Sequence, residues 1–107
     1  NTNGRFVYTG FKPAFIIFKR TDSSGNWMIF DNKRSSAAGA NPINQYVYPN
    51  LTNAEEAGGT RGVDFLSNGF KHRNGFSTID DDNNTYIYMA FADRPFVTSK
   101  GAPTTAR

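Results

Sequence analysis

Aromatic side chains take the place in this sequence that leucine holds in most: ten Phe, five Tyr and one Trp stand against two Leu. Leucine is the usual filler of helix faces, whereas aromatic and β-branched side chains suit pleated, half-buried surfaces. A helix bundle does not fit that composition. Twelve Asn, ten Thr and ten Gly supply the turn formers and β-tolerant polar residues that many short strands need between them. The fold expected is all-β.

Gly4 and Gly10 enclose a short strand, Arg5-Phe6-Val7-Tyr8-Thr9. Pro13 has no N–H to give to a ladder, so it stands at the start or on the edge of the next strand, Ala14 to Arg20. Alternation across the pleat sends Phe15 and Ile17 one way and Ala14, Ile16 and Phe18 the other, which makes both faces apolar. The turn formers Thr21 to Asn26 lead to a returning strand, Trp27 to Asp31, again apolar on both faces. Residues 32–50 read as a long excursion carrying one minor strand at Tyr46-Val47-Tyr48. Thr52 and Glu55 form a capping box and Gly58 a terminator, which predicts a one-turn helix within Asn50 to Gly59. Ser67-Asn68-Gly69, between Val63 to Leu66 and Phe70 to Arg73, predicts a tight hairpin whose Asn-Gly pair takes a type I′ turn. Thr85 to Ala92 is the clearest strand, with Tyr86, Tyr88 and Ala90 on one face and Ile87, Met89 and Phe91 on the other. The expected architecture is an antiparallel β-sandwich of about six or seven strands over residues 1–99, followed by a polar tail at 100–107.

The 107 residues, 11.9 kDa, suffice for one real core, since a chain of this mass can bury about 65% of its extended surface. With no Cys there is no disulfide scaffold, thiolate metal site or Cys nucleophile. The longest apolar run, Ala14 to Phe18, falls far short of the ~18 residues of a membrane span, so no membrane insertion is expected. A chain opening on Asn1 rather than Met is expected to be processed, truncated or part of a longer polypeptide. The net charge of +3 is spread over single residues and the pairs Lys19-Arg20, Lys33-Arg34 and Lys71 with Arg73, which is not a nucleic-acid footprint.

Chemistry-bearing constellations are few. Asp80-Asp81-Asp82-Asn83-Asn84 offers oxygens to a calcium ion but lacks the EF-hand's central Gly and distant Glu, so a solvated acidic turn is expected, with no metal or other cofactor. His72 has Lys71 and Arg73 as neighbours and no G-x-S-x-G nucleophile elbow to serve, and is read as a packed or surface ring. Asp31, Asp64 and Glu55 are carboxylates of the kind a glycosidase pairs, yet nothing in the spacing selects two of them. No enzyme is expected. Asn50-Leu51-Thr52 and Asn83-Asn84-Thr85 match the glycosylation sequon, which matters only in a eukaryotic secretory setting. Trp27, Tyr46, Tyr48, Tyr86 and Tyr88 form the candidate set for an interface or for stacking on a ligand such as a sugar.

Four blocks in order carry a resemblance: Phe6 to Phe15; Lys19 to Asp22 with Gly25-Asn26-Trp27; Val63 to Lys71; and Thr85 to Ala92 with Pro95-Phe96. Together they resemble an uncharacterised domain family of bacteriophage tail and other virion proteins, often of marine phages, in which the domain commonly sits near the C-terminus. The resemblance implies a virion structural module, a tail-fibre, tail-tip or capsid-decorating domain acting through protein-protein or adhesive surfaces. A carbohydrate-binding module for receptor recognition is the alternative. The Asp80 to Asn84 turn sits where that family carries a variable loop rich in Gly, Ser and Asn. Strands apolar on both faces call for something to cover the second face. Self-association is therefore expected, as a homotrimer by the resemblance, with other virion proteins and a host-surface glycan as further partners.

Overall fold

The computed structural model describes residues 4–34, 40–58, 61–73, 83–94 and 100–101. These residues form eight strands and no helix: β1 (Phe6–Tyr8), β2 (Pro13–Arg20), β3 (Met28–Asp31), β4 (Gln45–Val47), β5 (Glu56–Ala57), β6 (Gly62–Leu66), β7 (Gly69–Arg73) and β8 (Tyr86–Ala92). A three-stranded sheet of order β1-β7-β6 faces a five-stranded sheet of order β5-β4-β3-β2-β8 in a sandwich-like, all-antiparallel arrangement.

The longest strands are those with the densest apolar and aromatic runs. β2 pairs with β3 from Phe15↔Asp31 to Phe18↔Met28, and on its other side with β8 from Pro13↔Ala92 to Arg20↔Tyr86. Pro13 sits at the first position of β2, beside a register shift between Pro13 and Phe15, where a missing N–H is tolerated. Backbone bonds from Asp93 N to Lys12 O (2.8 Å) and from Thr21 N to Thr85 O (2.9 Å) close the two ends of this ladder.

Between the sheets lie Ile16, Phe18, Met28, Phe30 and Tyr46 from the larger one and Val63, Phe65 and Phe70 from the smaller, with Ile43 wedged at the side. Phe18 and Phe30 stack with centroids 5.7 Å apart. The excursion is tied to β6 by reciprocal bonds between Ile43 and Val63, 2.8 and 2.9 Å long. Asn41 continues that edge with its side-chain amide: Phe65 N donates to Asn41 Oδ1 and Asn41 Nδ2 donates to Phe65 O, both at 2.9 Å.

Two local expectations are corrected. No helix forms over residues 50–58. Glu55, meant to cap it, accepts bonds from Arg34 Nη1 (2.8 Å) and Gln45 Nε2 (3.1 Å), while Glu56–Ala57 pairs with Gln45 and Tyr46 as β5. Tertiary partners outcompete a helix too short to stand by itself. The hairpin between β6 and β7 does form, but Leu66↔Gly69 is its last pair, so the loop is Ser67-Asn68. Neither loop residue has positive φ, which rules out the type I′ turn. The acidic run Asp80 to Asp82 and the Pro95-Phe96 pair lie outside the described residues.

Candidate functional site

The five candidate aromatics fall in three places. Tyr46 and Tyr48 meet edge to face at the end of β4, centroids 5.4 Å apart, and both hydroxyls accept from Arg61 Nη1 at 2.6 Å. Tyr46 in turn donates to Glu56 Oε2 (3.0 Å), and burial with that bond pushes its pKa up to about 12. Tyr46 belongs to the core and its hydroxyl to a tether between β4, β5 and Arg61. Trp27 lies on the other side of the sheet, beside Ile17, Pro49 and Asn50, which form an open depression of about 270 Å³. Its backbone N–H donates to Asn50 Oδ1 at 3.1 Å.

Tyr86 and Tyr88 project from the inner side of β8 at the open rim between the sheets, where Tyr88 is still 47% exposed. They line a cavity of about 210 Å³ with Arg5, Val7, Phe18, Phe70 and His72. Register explains the company: Phe18 stands opposite Tyr88, and Phe70 opposite Val7, each pair on the inner face of its sheet. Phe70 meets Tyr88 at 5.2 Å and His72 at 5.5 Å, both nearly perpendicular, and Phe18 meets His72 at 5.3 Å. His72 is buried, and desolvation lowers its pKa to about 4, so the imidazole is neutral at pH 7. Its Nδ1 is buried and has no hydrogen-bond partner among the described residues. Val7, Phe18, Phe70 and His72 escape a reading of the linear chain because three strands, β1, β2 and β7, bring them together. The one local signal is the alternation of β7, which turns a lone histidine inward with Phe70 and leaves Lys71 and Arg73 outside.

The outer face of the five-stranded sheet is apolar as well. Met89, Ile17, Ile29 and Val47 form a row across β8, β2, β3 and β4. Phe15 packs edge-on against Phe91 beside that row, at 5.5 Å. Ile87, Met89 and Phe91 are 50%, 58% and 53% exposed. Among the described residues β8 has one neighbour, β2, so it is also an edge strand.

The carboxylates are otherwise engaged. Arg34 Nε bonds Asp31 Oδ2 (2.5 Å) and its Nη1 bonds Glu55 Oε2 (2.8 Å), so Asp31 and Glu55 come together around a cation. Burial pushes the Asp31 carboxyl up, but bonds from Arg34 and from the Lys33 and Arg34 N–H groups outweigh it and hold the pKa below the usual value. Such a carboxylate keeps its charge and is a poor general acid. Asp64 lies on the opposite sheet, paired with Arg73.

No curated protein and no solved structure matches the chain. A family match exists over residues 1–95, which is most of the sequence. The chain therefore belongs to the uncharacterised family described as Domain of unknown function (DUF7483).

Proposed function

We propose that this chain is a structural domain of a bacteriophage virion, placed in a tail fibre, a tail tip or a capsid decoration, which works through protein-protein or adhesive surfaces rather than by catalysis. One observation carries the reading: the half-exposed side chains of Ile87, Met89 and Phe91 beside Phe15 on the outer sheet face. Contiguous apolar surface of this kind usually marks a partner site. The sequence blocks that resemble virion proteins supply the setting, and a symmetric homotrimer is the assembly proposed, joined to other virion proteins. Gold-labelled antibody against the domain, applied to intact particles, tests the setting. Labelling at a fixed place on the particle is expected, and particles that lack the protein would overturn the proposal.

A second reading rests on Trp27. An indole face beside Asn50 in an open depression is a platform on which a pyranose of a host-surface glycan can stack. Glycan-array binding that disappears in Trp27→Ala would favour it over the purely structural role.

A further inference from the structure

Among the described residues seven large hydrophobic side chains are exposed, and six of them sit on two strands: Phe6 and Tyr8 on β1, and Ile87, Tyr88, Met89 and Phe91 on β8. These strands are edges of different sheets, each with one neighbour among the described residues. They flank the same opening, since Val7 of β1 and Tyr86 and Tyr88 of β8 line one cavity. That opening also holds Arg5, a cation that a seated apolar ligand would strip of water, so the exposed side chains around the opening, rather than its interior, are what a partner covers. Because Val7 points inward, alternation sends Phe6 and Tyr8 to the outer side of the small sheet, and it sends Ile87, Met89 and Phe91 to the outer side of the large one. A body lying flat on either sheet would reach one of these sets and leave the other wet. The two sets meet when copies of this chain stand in a ring about an axis parallel to the strands, because the large-sheet edge of one copy then lies beside the small-sheet edge of the next. Neither β1 nor β8 carries a charged residue, so no charge of theirs is buried in that contact. The six side chains are each about half exposed or more. Since a large aromatic side chain buries about 150–250 Å², together they offer roughly 600 Å² per copy. That approaches the ~800 Å² per partner of a standard interface, and the two strand edges add to it.

We infer that Phe6 and Tyr8 of one copy pack against Ile87, Met89 and Phe91 of the next, head to tail, so that three copies close a ring with Tyr88 towards its centre. This rests on the self-association proposed above and names the surfaces that make it. A head-to-tail contact joins two different patches, which allows a test by charge pairing. Tyr8→Glu and Met89→Lys both fall on exposed positions, and the double variant sets Glu against Lys at every contact. By light scattering each single variant of the full chain should be monomeric at the micromolar concentration where the wild type has a mass near three subunits. The double variant should associate about tenfold more tightly than either single one. Unchanged circular dichroism in all three variants is expected, since both positions are on the surface. Trp27, the one tryptophan of the chain, stands beside β3, two strands in from β8, so acrylamide should quench it equally in the trimer and in the diluted monomer. A trimer whose mass is unchanged by Tyr8→Glu, or in which Trp27 is shielded as a flat contact would shield it, would overturn the inference and leave self-association standing. So would a double variant no tighter than the singles, or a mass of two subunits. A monomeric wild type would overturn it together with the self-association. None of these outcomes bears on whether the chain is found on a particle.

Discussion

At Gly69 the limiting quantity is space. A Cβ there would lie 2.0 Å from the Val7 carbonyl oxygen and 2.9 Å from the Phe6 ring, so any side chain forces β1 away from β7. Overpacking of this kind costs about 1–3 kcal/mol, and Gly69→Val should lower the Tm by about 5 °C or more. An unchanged Tm in a calorimeter would mean that β1 is not seated as described. His72 sets a different dependence. Its folded pKa, about 4, lies below its ordinary 6.5, so the unfolded chain binds a proton in that window and the folded one does not. Stability from this group is complete above pH 6.5 and falls by about 1.4 kcal/mol per pH unit as the pH drops towards 4. Asp31, held below 3.8, loses its contribution only at lower pH. Urea titrations from pH 7 to 4 should show the loss, and His72→Phe should flatten it.

Among the elements, the β6–β7 hairpin depends on an ion pair as well as on its ladder. Asp64 is buried on β6 and takes Arg73 Nε from β7, while Arg73 itself is half exposed. Removing the cation leaves the carboxylate buried and short of a partner, so Arg73→Ala should cost about 1–3 kcal/mol. Combining it with Asp64→Asn should recover part of that loss in a double-mutant cycle. The strands of this fold were readable because side chains alternate: Ile16 and Phe18, Met28 and Phe30, and Phe70 and His72 are buried at spacing two. β5 was not readable, since two residues have no period and Glu56–Ala57 has no β-propensity to speak of. A capping box at Thr52 and Glu55 is a local signal, and Arg34, reaching across from a distant turn, overrides it. The cavity was half legible: Tyr86 and Tyr88 were candidates for their spacing, but their meeting with Phe70 and His72 is set by how two sheets pack, which no single strand encodes.

For the whole molecule the open question is what covers the outer face. Light scattering on the chain at micromolar concentration should give a mass near three subunits. Met89→Lys should reduce it to one with the circular dichroism unchanged, and a wild-type monomer would remove the case for self-association. The pairing of β2 with β8 carries a different kind of consequence. Its outermost pair, Pro13↔Ala92, joins a strand made early to the last strand described. Ribosomes add about 5–20 residues per second, so for several seconds a nascent β2 offers Phe15, Ile16, Ile17 and Phe18 along an unfilled edge. Pairings this distant also form slowly after release. A chain stopped after Asn84 should therefore collect in the insoluble fraction, and one extended through Arg94 should return to the soluble one. The sequence thus leaves the cell a period, set by synthesis rather than by stability, in which one strand must be kept from finding the wrong neighbour.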